Sequence, residues 1–421
     1  MLKPRPAPLD AMPLQSPPRI RDLFVAPEPR FEAHRQAFLE RYGATDPASI
    51  RLFFAPGRVN LMGAHLDYNG GPVMPMAIER GTFVALRPRT DKLLVLASTS
   101  EDTEARFDLE TLAASFPAAT GAWWDYPLGV LRALGPEHAT HGADILFGGD
   151  LPVGAGLSSS ASVTLATAVA FDRVFDLGHD VQAAVDASLD AERGYVGVQC
   201  GIMDPFAVGH ARAGQILVLD CATRGLEHAA LDATKYSVAV VDTGVRRELA
   251  SGEFNKRVEQ CGQAWQALAK HAPAAKNLSS VPIEVFLNHE AALDATVAKR
   301  ARHVIEETAR TLAARDALFA GNVPAFGAAM FAAHDSLRDL FDVSIPELDA
   351  IVELTRTLPF VLGARLTGAG FGGCVAAVIE IGHEAAFAEA AKAHFQQRFG
   401  HEPGVAFYKS SPGLGEISSG T

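Results

Sequence analysis

Four glycine-rich segments of this 421-residue chain gather hydroxyls, carboxylates and a guanidinium at spacings that suit anion chemistry. The first, LPVGAGLSSSASVTLATAVAF at residues 151–171, removes side chains from a turn with Gly154 and Gly156. It then offers Leu157 and three hydroxyls, Ser158, Ser159 and Ser160, as an Ala-rich helix begins. Exposed N–H groups and the positive end of that helix would attract phosphate. No lysine follows, so this is not the Gly-x-x-x-x-Gly-Lys-Ser/Thr loop, and the plain alternative is a turn with a Ser-rich cap. The second, APGRVNLMGAHLDYNGG at residues 55–71, reads as a loop that displays Arg58, His65 and Asp67. Arginine suits the charge on a transferring phosphoryl group, and a carboxylate accepts from two neighbouring hydroxyls. Otherwise Tyr68 to Gly71 is a hairpin turn with Asp67 as a turn residue. In the third, GYVGVQCGIMDPFAVGH at residues 194–210, Asp204 precedes Pro205 and either caps a helix or orients an attacking hydroxyl. The fourth, ARLTGAGFGGCVAAV at residues 364–378, is a bulged turn or a place where backbone approaches a ligand closely.

The elements that must hold these segments alternate in type along the chain. PEPRFEAHRQAFLERYG predicts a helix with Phe31, Phe38 and Leu39 on one face and Gly43 as its stop. Residues 51–110 read as strand-rich, residues 120–235 mix helices with small-residue loops, and QILVLDC and YSVAVVDTG read as strands. From Ser251 the pattern turns helical, and it ends in strands at CVAAVIEI and VAFYK around a helix EAAFAEAAKAHFQQRF. The expected class is α+β in two lobes with the boundary within 210–245: a Pro-rich segment at 1–20, a first lobe at 21–225 and a second lobe at 226–421.

Composition narrows the function classes. A 48% hydrophobic content suffices for one large or two medium cores, and the net charge of −12 is mixed along the chain with no basic block, so no nucleic-acid partner is expected. The longest apolar runs fall short of the roughly 20 residues that span a bilayer, and the N-terminus resembles no signal peptide. No membrane partner is expected. Four separated cysteines fit reduced thiols in a cytoplasmic protein, and Cys200 and Cys374 read as small packing residues. His141, His179, His210 and His303 show no cluster spacing and read as surface or core residues.

Together the four segments resemble the galactokinase branch of the GHMP kinase superfamily, with motif order and spacing agreeing over roughly residues 20–410. The resemblance implies the GHMP kinase fold, two lobes with the active site in the cleft between them, and transfer of the γ-phosphate of ATP to the anomeric hydroxyl of a sugar. Asp204 would act on that hydroxyl and Arg58 on the phosphate. Ser160 and Glu192 would bind Mg2+, Gly154, Gly156, Leu157, Ser158, Ser159 and Ser160 would wrap ATP, and Trp123 and Trp124 would lie near the nucleotide. His65, Asp67, Ala64, Gly201 and Phe254 would contact the sugar, and a monomer is expected. Three positions depart from the family. Galactokinases read Gly-Glu-His-Thr-Asp where this chain reads Gly63, Ala64, His65, Leu66, Asp67, and Phe254 replaces a sugar-contacting tyrosine. Losing a charged hydrogen-bond partner of the 6-hydroxyl costs about 1.5–3 kcal/mol, roughly one to two powers of ten in affinity. The pocket is therefore expected to favour galacto-configured sugars with little polarity at carbon 6, such as a 6-deoxy sugar or a pentose, or a derivative whose substituent fills the space left at Ala64. A non-catalytic sugar sensor and a kinase of a non-sugar alcohol are the rival readings.

Overall fold

The computed structural model describes residues 17–43, 46–152, 156–198, 200–246, 250–411 and 413–418; Gly154 and most of the Pro-rich segment lie outside them. Among the described residues the backbone forms two sheets. The larger contains β1 (Phe24–Val25), β2 (Arg51–Met62), β3 (Pro72–Pro88), β4 (Leu93–Ser98), β5 (Ala105–Asp108), β6 (Ala143–Gly149) and β13 (Gly415–Ile417). Its order is β1-β13-β2-β3-β6-β4-β5, and β7 (Gln215–Asp220) joins the start of β3 and carries β8 (Leu226–Ala230). The smaller sheet is antiparallel, ordered β10 (Val361–Thr367), β11 (Cys374–Glu380), β9 (Tyr236–Asp242) and β12 (Gly404–Tyr408). The chain passes from one sheet to the other between Ala230 and Tyr236.

Local sequence explains the pieces that frame the cleft. The helix Pro29–Tyr42 starts with proline, buries Phe31 and Phe38 two turns apart, and stops at Gly43 with φ +85°. The helix Ser159–Phe175 is rich in alanine, so it packs closely against β2 and β3 while burying Ala161, Leu165, Ala168 and Phe171. Its N-terminal end opens beside β2. The two sheets share a core in which Val59 and Leu61 of β2 join Met74, Met76, Val240 and Ala376. No described helix is long and apolar enough to cross a membrane.

One expectation fails here. Residues 55–62 are not a loop: β2 runs unbroken from Arg51 to Met62, through Pro56 and Gly57. A register shift against β3 between those two residues absorbs the proline, which has no N–H to give to the ladder. Side chains of a strand alternate, so Val59 and Leu61 enter the shared core while Arg58 and Asn60 turn to the cleft.

Candidate active site

Arg58 emerges from the middle of β2 with its side chain only 6% exposed, and its guanidinium grips the Asp204 carboxylate at both ends. Nε donates to Oδ1 and Nη2 to Oδ2, each at 2.8 Å. Such a fork fixes a carboxylate in angle as well as distance. The third nitrogen, Nη1, donates to the Gly156 carbonyl at 2.5 Å, and the Arg58 N–H donates to the Leu157 carbonyl at 3.0 Å. The backbone at Gly156 and Leu157 and the Arg58–Asp204 pair are thus one hydrogen-bonded unit. Asp204 does not cap its helix: Ile202 holds that position, and Asp204 sits in the first turn of Met203–Gly209.

Ser158 occupies a left-handed backbone position at the start of helix Ser159–Phe175, and its hydroxyl donates to Asp204 Oδ2 at 2.5 Å. Of the three serines, this one addresses the carboxylate. Ser159 is exposed and Ser160 half-buried at the helix end, where an anion is stabilised. Across the cleft stands the hairpin turn between β10 and β11: Gly156 approaches Gly368 so closely that a Cβ on it would meet the Gly368 Cα at 3.8 Å. Trp123 and Trp124 pack edge to face at 5.8 Å, with Trp123 5.7 Å from Phe147 of β6 in the larger sheet.

Beside Asp204 opens a cavity of about 190 Å3. Asn60, Ala64, His65, Asp67, Gly201 and Phe254 contribute to its wall. Its aromatic side is a small cluster: the His65 ring lies 4.6 Å from Phe341 and 5.8 Å from Phe254, and Tyr68 lies 5.5 Å from Phe254. Tyr68 is 3.0 Å from His65 Nδ1 through its hydroxyl. His65 Nε2 and Asn60 Oδ1 are buried without hydrogen-bond partners. A buried polar atom left unpaired costs about 1–3 kcal/mol, so both are ready acceptors or donors for a polyhydroxylic ligand. Burial, with His303 and Arg365 nearby, lowers His65 to about 3, and the ring stays neutral.

Asp67 behaves in the opposite direction. Burial, then the charge of Asp204, raise its carboxyl to about 6 against the opposing pull of backbone N–H groups and Arg58. If the ionised form accepts the ligand's hydroxyls, apparent sugar affinity falls as pH drops through 6. At pH 5 only about one-tenth of Asp67 is ionised, and the sugar KM should be roughly tenfold its value at pH 7.5, measured by steady-state kinetics at saturating ATP. For folding the sign is reversed: between the unfolded value near 4 and about 6 the folded chain holds the extra proton, so this group adds stability as pH falls.

Gly201 is set by contact. A Cβ there would fall 1.5 Å from Asp67 Oδ2, so Gly201→Ala must push the carboxylate out of place. The expected result is a loss of about 10²-fold in kcat/KM for the sugar, with the ATP KM little changed.

Glu192 lies on the π-helical turn Ala191–Val196 and is 2% exposed, and its Oε1 has no hydrogen-bond partner. Burial raises its carboxyl above the usual range; the neighbouring Cys200 thiol pulls it down, the Asp204 charge pushes it up, and the Ser160 hydroxyl again pulls it down. A buried carboxylate with an unpaired oxygen, facing a serine hydroxyl, fits a hard divalent cation. The same burial and the Glu192 charge push the Cys200 thiol up to about 12, so it is no nucleophile.

Asn60, Tyr68 and Met203 also line the cavity but escaped the sequence reading. Asn60 was within reach of it. Once residues 51–62 are a strand, Arg58 and Asn60 share a face.

This cleft between two sheets, with a glycine turn at a helix N-terminus, is the GHMP kinase arrangement. The GHMP kinases N terminal domain matches residues 125–212 and the GHMP kinases C terminal domain matches residues 314–397. The fold recurs in a mevalonate kinase at TM-score 0.58 and 18% identity, covering 86% of this chain and 99% of that one. More specifically, the Galactokinase galactose-binding signature matches residues 36–88. The Exiguobacterium sibiricum galactokinase is 39% identical over 90% of this chain and 96% of its own length, and the Roseiflexus galactokinase 36% identical over 91% and 96%. The structure of Lactococcus lactis galactokinase complexed with galactose superposes with TM-score 0.84 at 32% identity, covering 91% of this chain and 98% of that one. The chain belongs to the galactokinase family, and so is a nucleotide-dependent kinase.

Proposed function

We propose that this protein transfers the γ-phosphate of ATP to the anomeric hydroxyl of galactose or a galacto-configured sugar, as a cytoplasmic monomer. The observation that carries this reading is the Arg58–Asp204 fork, hydrogen-bonded to the glycine turn and set at one side of a cavity of monosaccharide scale. The lobe division proposed is 21–225 with the nucleotide and 226–421 closing the cleft.

In this account Asp67 accepts from neighbouring ring hydroxyls and Asp204 orients the anomeric hydroxyl towards phosphorus. Phosphoryl transfer asks little covalent chemistry of the protein, so alignment and charge stabilisation are the main tasks. Arg58 stabilises charge on the transferring group and holds the Asp204 carboxylate in one orientation. The glycine turn with Leu157, Ser159 and Ser160 wraps the triphosphate. Ser160 and Glu192 would hold Mg2+, which neutralises charge on the phosphate oxygens.

Ala64 and Phe254, which line the cavity, bring no polar side-chain atom where galactokinases have a glutamate and a tyrosine. The proposed preference is therefore for a 6-deoxy sugar such as fucose or a pentose such as arabinose over galactose itself. A coupled ADP-release assay across galactose, fucose, arabinose and N-acetylgalactosamine tests both parts. Turnover with a higher kcat/KM for fucose or arabinose is expected. Equal values for these sugars and galactose would refute the preference, and no turnover with any would refute the sugar kinase.

A further inference from the structure

The loop that carries Ala64, His65 and Asp67 is braced within itself, the Leu66 N–H donating to the Gly63 carbonyl at 3.3 Å and Asn69 Nδ2 to the His65 carbonyl at 2.7 Å, and it is braced from outside as well. Gly63 has φ +82° and His65 has φ +59°, a left-handed position that a histidine rarely takes without outside constraint. Gly63 is also pressed against β3, where a Cβ would lie 2.3 Å from the Pro72 carbonyl oxygen. A second constraint on the loop comes from some 240 residues away in sequence, on the long helix Ala295–Phe319.

Two side chains of that helix, one turn apart, meet the loop's backbone. Glu307 Oε1 accepts from the Gly63 N–H at 3.2 Å, and His303 Nε2 lies 3.3 Å from the Ala64 carbonyl oxygen. A carbonyl only accepts, so Nε2 carries the ring proton, and Nδ1 accepts from the Ser336 hydroxyl at 2.8 Å. Both residues are fully buried. Phe341 lies against the His303 ring at 4.5 Å and against the His65 ring at 4.6 Å, linking the clamp to the wall of the cavity. Glu307 also accepts from Arg310 and faces the buried Arg365, whose Nη1 and Nη2 have no hydrogen-bond partners.

We infer that His303 and Glu307 are positioning residues that fix the sugar-binding loop by holding the Gly63 N–H and the Ala64 carbonyl from the opposite lobe, with Ser336 orienting the histidine. Neither side chain touches the reacting atoms. Their effect reaches the sugar through the backbone that aims His65 and Asp67. The inference rests on the proposed sugar site for its kinetic consequence but not for its structural one.

Glu307 is a poor place to begin the test, because neutralising it leaves Arg310 and Arg365 facing one another. His303→Leu, His303→Gln and Ser336→Ala are cleaner. Hydrogen exchange of the peptide spanning residues 60–70, followed by mass spectrometry, reads loop order whatever the catalytic activity. Loss of one such hydrogen bond corresponds to about a two- to tenfold change. In His303→Leu the exchange of this peptide and the sugar KM should each rise about tenfold while the ATP KM stays within twofold. His303→Gln, which keeps an N–H donor, should recover most of the loss, and Ser336→Ala should show a smaller rise. Should His303→Leu not fold, Ser336→Ala decides the matter alone. Unchanged exchange at residues 60–70, or sugar and ATP KM values rising in parallel, would overturn the inference. Faster exchange in the variants of a wild type that phosphorylates no sugar would instead uphold the clamp and sink the proposed sugar-kinase function.

Discussion

Replacing Asp204 by asparagine is expected to lower kcat for sugar phosphorylation by about 10²–10⁴-fold while leaving the ATP KM within a few-fold of wild type. The carboxylate receives three donors, Arg58 Nε, Arg58 Nη2 and the Ser158 hydroxyl, and can accept all of them only because both its oxygens are acceptors. Asparagine keeps the shape but turns an NH2 group towards one of those donors, so the fork is lost and with it the orienting role proposed for Asp204. Asp204→Ala should be at least as inactive. Initial rates at saturating ATP and sugar measure the effect, and a decrease smaller than about tenfold would show that Asp204 does not orient the nucleophile.

Arg58 should matter almost as much, in a different pattern. It joins Asp204 to the glycine turn through Nη1 and the Gly156 carbonyl, so Arg58→Leu removes charge stabilisation and a support of the nucleotide loop together. A kcat lower by about 10²–10³-fold is expected, accompanied by a raised ATP KM. Arg58→Lys should restore only part of the activity, because one ammonium cannot span both carboxylate oxygens and the carbonyl as the planar fork does. Full activity in the lysine variant would mean that charge alone suffices.

How much of this was legible in the sequence depended on whether the signal was local. The helix Pro29–Tyr42 followed from Phe31, Phe38 and Gly43, and the strands β7, β9 and β11 from continuous apolar runs, because periodicity and stop signals act over a few residues. Segment 55–62 misled for a physical reason: Pro56 and Gly57 look like a turn, and only the neighbouring strand's register shift lets them stay in a sheet. The glycine-rich segments indicated which residues to examine. They could not indicate that the Ser158 hydroxyl turns to Asp204, since that depends on a left-handed backbone at a helix entry. His303 read as an ordinary core or surface residue, and buried it is, yet its partner Ala64 lies 239 residues earlier. Contacts of that range leave no mark on local pattern.

The central claim is that this cleft phosphorylates the anomeric oxygen of a galacto-configured sugar. The measurement that tests it most directly is phosphorus-detected NMR of the product after incubating the protein with ATP, Mg2+ and each of the sugars. The expected product is a sugar phosphate whose phosphorus couples to the anomeric proton, absent with Asp204→Asn. A phosphate on another oxygen, or ATP hydrolysis without any sugar phosphate, would contradict it.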